Sequence, residues 1–280
     1  MIAWASRYIR GKLHQRNVSM SEKNIVIIDY GAGNLRSAAK ACERALADHS
    51  IAGKVQISNN PKDLAQASHI ILPGVGAFGD CMQGLSAIDG MLDALEEHVI
   101  QKQTWFLGIC VGMQLLFERG FEHGTHNGLG WIPGEVRKLT PSDTSLKVPH
   151  MGWNIISPPT KSTDFAMGHS KAGSGLAWPT DHALVPRKDT QGEDSSPSEP
   201  SAREAASHVR AAGEHGDIQY VYFTHSYHAC DVPREHILAV TNYGTQVVAI
   251  VGKDNIFGTQ FHPEKSQAAG LALLANFMRL

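Results

Sequence analysis

Cys110 stands between Gly108 and Gly112, where the apolar run "WFL" gives way to "MQLLFERG". That change of pattern predicts a short strand, a tight turn and the first turns of a helix. A nucleophile on such a corner projects its reactive atom clear of the sheet. Neighbouring backbone then comes so close that side chains two residues to either side are excluded. The N–H groups that open the helix would favour a thiolate. A buried structural cysteine with incidental glycines fits the same five residues, so the chemistry needs further support.

The segment "QFHPEKS" at 260–266 sets His262 and Glu264 two residues apart. In extended chain that spacing points both side chains to one side, as a general base and its orienting carboxylate require. The imidazole can take a thiol proton and later return it to a leaving amine. With 15 histidines in the chain, such a pair taken alone is an ordinary solvated or hydrogen-bonded histidine. The loop "PGVGAFG" at 73–79 adds a third feature. Acyl transfer needs two N–H donors for its oxyanion; Val111 would supply one, and Val75 or Gly76 the other. Together the three features point to acyl chemistry on a thiol.

The elements that must position these residues alternate. "IVIID", "VQISNN", "HIILPG" and "WFLGIC" read as short buried strands, and "LRSAAKACERAL" and "LEEHVIQ" as helices between them. This order predicts a mostly parallel sheet covered on both faces. "GAGN" and "GVGAFG" lack the full dinucleotide fingerprint. "IQYVYFTHSYHA", "HILAVTNYG" and "VVAIVGKDNIFGTQFHPEKS" read as antiparallel strands closing the sheet, before a last helix, "AAGLALLANFMRL". Residues 1–23 carry Arg7, Arg10, Lys12 and Arg16 with no acid before Glu22; they are expected to be a mobile extension, with Met20 as a candidate start. Residues 157–217 hold six of the 13 prolines, and Thr190–Asp217 has one valine and no Leu, Ile, Met or aromatic residue. Such a stretch buries too little apolar surface to offset its ordering entropy, so a disordered insertion is expected there.

A chain of 280 residues is long enough for one sizeable α/β domain. A net charge of −2 carries no argument for nucleic acid or an anionic membrane, and no apolar run is long enough to cross a bilayer. The four cysteines are scattered, without a CxxC pair to suggest zinc or a dithiol. A reduced, cytoplasmic protein without a metal or cofactor is expected.

The order GxCxG, then HPE, with a glycine loop upstream, resembles the class I (triad) glutamine amidotransferases. More narrowly, "IDYGAGNLRS", "LPGVGAFGD", "GICVGMQLLF", "VPHMGWN", "YFTHSYHA" and "QFHPEKS" are similar to the glutaminase subunits of imidazole glycerol phosphate synthases, in the family's order from Asn24 to the C-terminus. The resemblance implies a flavodoxin-like three-layer αβα fold that hydrolyses glutamine through a thioester on Cys110, with His262 as base and acid and Glu264 orienting it. It implies that Gly74, Gln114, His225, Ser226 and Tyr227 hold the substrate. It also implies a heterodimer with a (β/α)8-barrel cyclase of histidine biosynthesis, which receives the ammonia and is faced by Asn34, Trp153 and Lys265. A core tryptophan remains the ordinary reading of Trp153.

The chain departs from the family in its N-terminal extension and in the long link between MGWN and YFTHSY, which slow growth of loop-closure cost makes tolerable. Three other readings compete: a glutaminase serving another synthase, an interaction-only subunit, and a cysteine hydrolase of α/β-hydrolase type. The intact Cys110, His262 and Glu264 speak against the second. The third would place its acid before the histidine, on a separate strand.

Overall fold

The computed structural model describes residues 22–159 and 219–280. The expected extension and insertion therefore lie outside the described residues, apart from Glu22, Lys23 and residues 157–159.

In chain order the elements are β1 (Lys23–Ile28), α1 (Leu35–Asp48), β2 (Gly53–Ser58), β3 (His69–Gly74), α2 (Phe78–Ser86) and α3 (Met91–Leu95), which runs into a wider π turn. There follow β4 (Trp105–Cys110), α4 (Val111–Gln114), β5 (Arg119–Gly120), β6 (His126–Asn127), β7 (Glu135–Lys138) and β8 (His150–Ile156). After the undescribed segment come β9 (Gln219–His225), β10 (Tyr227–Cys230), β11 (Ile237–Asn242), β12 (Gln246–Lys253), β13 (Ile256–Thr259) and α5 (Gln267–Met278).

A seven-stranded sheet, ordered β11-β12-β13-β4-β3-β1-β2, is the frame. All its pairings are parallel except those of β12, which alone runs against the rest. Its middle strands are buried along most of their length, as strands covered on both faces must be. α1 packs on the sheet through a stripe of small residues, Ala38, Ala41, Cys42 and Ala45, at helical spacing. Its first turn is capped by Asn34, whose side chain accepts from the Ser37 N–H at 3.4 Å.

Two expectations are corrected. First, residues 219–230 do not join the main sheet. β9 pairs antiparallel with β8, and β10 lies at the edge of a four-stranded sheet, β10-β7-β5-β6. The reason is visible in β9, which buries alternate residues, Val221, Phe223 and His225, and so has one core face only. β11 and β12 instead bury continuous runs and do close the sheet. Second, the helix after Cys110 is a single turn. The carbonyls of Leu115, Leu116 and Phe117 are taken by the N–H groups of Leu129, Ile132 and Gly130 at 2.7, 3.0 and 3.1 Å, so they are not used to continue a helix. Tertiary bonding overrides a helix-permitting sequence here.

Candidate active site

The corner at Cys110 is as tight as its glycines require. Cys110 itself has φ 56° and ψ −110°, a strained conformation for a residue with a side chain. A Cβ on Gly112 would stand 1.8 Å from the Leu72 carbonyl oxygen, and one on Gly108 would stand 2.4 Å from the Gly112 oxygen. Strands β3 and β4 and the turn thus pack backbone on backbone. Because α4 has only four residues, the expected contribution of a long helix dipole is absent. What remains is the local N–H groups of the turn.

Parallel pairing places the ends of β3, β4 and β13 side by side: Gly74 is opposite Cys110, and Thr259 is opposite Ile109. The carboxyl edge of an open parallel sheet is where ligands are expected to bind, and here the chain after β13 delivers Gln260 to Glu264 beside the thiol. His262 Nδ1 meets Glu264 Oε1 at 2.8 Å, with both side chains almost fully buried. The pair is made by an extended His262 followed by a 3-10 turn over Pro263–Lys265, and not by a continuing strand. Burial pushes the imidazole pKa down, but the Cys110 thiol and the Glu264 carboxylate outweigh it and raise it from 6.5 to about 9. Its Nε2 is buried with no hydrogen-bond partner among the described residues. The thiol is thus near enough to act on the ring without an aligned hydrogen bond to it. The Cys110 sulfur also lies 3.9 Å from the Thr224 oxygen and 3.9 Å from Gln260 Nε2.

These groups open on a cavity of about 300 Å³. Its wall includes Val75, Gly76, Val111, Gln114, His225, Ser226 and Tyr227, together with Cys110 and His262. Of the expected pocket residues, Gly74 alone lies behind the wall. A side chain there would meet the Tyr30 hydroxyl at 2.7 Å and the Gly112 nitrogen at 2.8 Å. Under the loop, the Cys81 thiol donates to the Val75 carbonyl at 3.5 Å. Gln114 spends both amide hydrogens within the protein, on the Tyr227 oxygen at 3.0 Å and Gln260 Oε1 at 3.2 Å. Its carbonyl oxygen is the part left for a ligand.

Sequence reasoning missed Glu122, Pro149 and Thr224 in the wall and Gln260 behind the thiol. Glu122 Oε2 accepts the Phe78 N–H at 2.9 Å, and nothing in the local pattern marks it. Gln260 carried a usable signal: it is a polar residue within "IFGTQF" that the fold buries completely. No group of three or more metal-ligating side chains occurs among the described residues.

Of the three expected partner-facing residues, Trp153 and Lys265 flank one ring. Trp153 meets Tyr222 edge-on at 5.9 Å between centroids, and the Lys265 ammonium lies 5.7 Å over the same ring. Beside them on β8, Met151 is 56% exposed and Ile155 36%. Asn34 follows β1 on the same carboxyl edge of the sheet as the turn carrying Lys265.

A strained thiol corner, a buried histidine–carboxylate pair and a glycine loop meeting at one cavity on a largely parallel sheet define a class, and comparison agrees with it. The family model "Glutamine amidotransferase class-I" matches residues 26–280, and the chain belongs to this family. Curated relatives narrow the likeness. Imidazole glycerol phosphate synthase subunit HisH of Rhodospirillum rubrum is 43% identical over 256 residues, and that of Brucella suis 44% over 255; each alignment covers 91% of this chain and 98% of the relative. HisH of Mesorhizobium japonicum is 42% identical over 255 residues, with the same coverage. A solved structure described as a glutamine amidotransferase superposes with a TM-score of 0.54 at 12% identity, covering 91% of this chain and 98% of the other; that likeness concerns the fold alone.

Proposed function

We propose that this chain is the glutamine-hydrolysing subunit of an imidazole glycerol phosphate synthase and delivers ammonia to a cyclase subunit in histidine biosynthesis. The observation that carries the reading is the meeting of Cys110 and His262 at one cavity, with Glu264 paired to the histidine behind it, in a chain 42–44% identical to subunits of that name.

The amino-acid end of glutamine fits the polar wall. Its ammonium finds the free carbonyl oxygen of Gln114 and the Glu122 carboxylate, and the 225–227 backbone borders its carboxylate. The side-chain amide then reaches Cys110. The thiol proton passes to His262, a transfer that its raised pKa favours, and the thiolate of the resulting ion pair adds to the amide carbon. The oxyanion is met by the Val111 N–H and by Val75 or Gly76 from the loop. Collapse of the adduct breaks the C–N bond, and the proton held by His262 leaves with ammonia. His262 next removes a proton from water, which attacks the thioester; glutamate departs and the thiol is restored. Glu264 keeps the ring in one tautomer throughout and stabilises its charged form.

The partner is read as a (β/α)8-barrel cyclase forming a heterodimer, seated on the patch of Trp153, Lys265 and Asn34. No helix among the described residues is long and apolar enough to cross a membrane. The four free cysteines fit the reduced, cytoplasmic location read for this chain. The test is ammonia release from glutamine by the full chain, with and without a cyclase subunit. Failure of both mixtures would overturn the reading; equal support of an unrelated synthase would favour a different ammonia acceptor.

A further inference from the structure

A single file of hydrogen bonds leads from β8 to the cavity wall. Asn154 Oδ1 accepts the Ile155 N–H at 2.8 Å, which fixes the amide's orientation. Its nitrogen then donates twice, to the Asn242 carbonyl at 3.0 Å and to His150 Nε2 at 3.2 Å. His150 Nδ1 lies 3.0 Å from His225 Nε2, and His225 Nδ1 lies 2.9 Å from the Tyr227 carbonyl oxygen. That same oxygen receives Gln114 Nε2.

Only one arrangement of protons satisfies this file. The Tyr227 oxygen can only accept, so His225 carries its proton on Nδ1 and offers a lone pair at Nε2. His150 must then donate from Nδ1 and accept at Nε2, where the Asn154 amide supplies the hydrogen. Protonation of either ring would set one N–H against another. Burial opposes that charge and lowers His150 to about 4 and His225 to about 3. The His150 ring is also held by its faces, stacked on Phe223 at 4.5 Å and on Tyr243 at 4.0 Å between centroids. Two near-parallel rings at those distances must lie on opposite sides of it. A side chain fixed at both nitrogens and both faces has no freedom left, and neither His150 nor Asn154 lines the cavity.

We propose that Asn154 and His150 are positioning residues of the glutamine pocket: through His225 they hold the Tyr227 carbonyl, and with it the Gln114 amide, in the orientation that receives substrate. This rests on the glutaminase reading above. The Tyr227 oxygen spends its acceptor capacity on His225 and Gln114. Gln114 is thereby made to present its own oxygen to the cavity, an acceptor suited to an ammonium and unsuited to a carboxylate. Releasing the file at Asn154 leaves His150 Nε2 buried without a donor and frees it to change tautomer. His225 would follow, and the Gln114 amide could then turn over.

The test uses the full chain with two variants, Asn154→Ala, which removes the donor, and His150→Phe, which keeps a stacking ring and removes both bonds. KM for glutamine should rise about tenfold in each, the effect of one misplaced hydrogen bond, with kcat within about twofold and thermal midpoints retained. Nitrogen NMR of the histidine-labelled wild type should find both rings in the Nδ1–H tautomer, the less common one for free imidazole, and Asn154→Ala should lose it at His150. An unchanged KM in folded variants, or an Nε2–H tautomer at either ring, would overturn the proposal. If one variant fails to fold, the other and the wild-type tautomers decide. Should the wild type not hydrolyse glutamine at all, it is the glutaminase reading that fails, while the tautomers still report on the file.

Discussion

His262 and Glu264 meet at 2.8 Å with side chains 2% and 4% exposed, so the histidine is held charged in a place where burial alone would neutralise it. Its pKa rises from 6.5 to about 9. A group raised on folding stabilises the fold fully below its unfolded pKa and loses that contribution as pH climbs through its folded pKa. Stability should therefore fall between about pH 6.5 and about pH 9. Glu264→Gln removes one source of the upward shift, so the loss should begin at lower pH. Thermal melts of both proteins across this range check it; superimposable pH profiles would show that the carboxylate does not hold the charge.

Cys110→Ala should abolish glutamine hydrolysis while leaving synthesis from ammonium salts by the assembled enzyme, since only the thioester step needs the thiol. Cys110→Ser should be nearly as inactive, because a hydroxyl beside the same histidine ionises far less. The other thiols are poor substitutes. Burial pushes Cys42 up to about 12 and Cys230 up to about 11, and it raises Cys81 as well. Residual hydrolysis above about a hundredth of wild type would mean that one of them had replaced Cys110, contrary to the usual cost of losing a nucleophile.

Gly112 and Gly76 separate two reasons for a glycine. At Gly112 a methyl group would enter the Leu72 carbonyl at 1.8 Å, so Gly112→Ala should cost more than about 4 kcal/mol or prevent folding. At Gly76 nothing lies within 4 Å, but φ is +110°, so Gly76→Ala should cost about 1–3 kcal/mol through strain alone. Denaturant midpoints of the two variants decide; equal losses would contradict the packing argument.

The frame of this site was legible because strand, glycine turn and HPE segment each carry their signal within a few adjacent residues. Residues brought in by tertiary packing were not. Glu122 reaches the cavity from an irregular loop, and Thr224 does so because β9 leaves the main sheet for β8. The single-turn helix escaped for a related reason: Met113, Leu115, Leu116 and Phe117 are all fully buried. An apolar run buried all round has no stripe to reveal its period. In "HMGWN" the tryptophan carries the signal in sequence, while His150 and Asn154 face the opposite way along an alternating strand.

Val75 is 44% exposed, and its carbonyl is tied to the Cys81 thiol at 3.5 Å. On the proposed reading this loop aims an N–H at the oxyanion, and the expectation is that it rests in the unproductive orientation, with a few kcal/mol needed to turn it. The glutaminase kcat should then rise in order from the isolated chain to the complex with the cyclase, and again with ribonucleotide bound to that partner. Steady-state assays of the three mixtures check this. One common kcat would leave a preformed oxyanion hole and no switch.

Ile156 and Gln219 are paired neighbours at the open ends of β8 and β9, so the chain leaves and re-enters the described fold at adjacent points. Replacing residues 160–218 with a short Gly/Ser linker should therefore preserve folding and glutamine hydrolysis. Circular dichroism and ammonia release measure both. Loss of cyclase binding alone would make the removed segment a docking arm.

The same pairing carries a cost in chain entropy. β1 to β3 pair only within residues 23–110, whereas β8 meets β9 across about 60 residues, a closure about 2 kcal/mol dearer in entropy than that of a tight hairpin. β4 in turn has β13, from near the far end of the chain, as its second neighbour. The thiol and its base therefore lie on opposite sides of the undescribed segment, and a chain cut before residue 219 would keep Cys110 but lose Thr224 to Tyr227, His262 and Glu264 together.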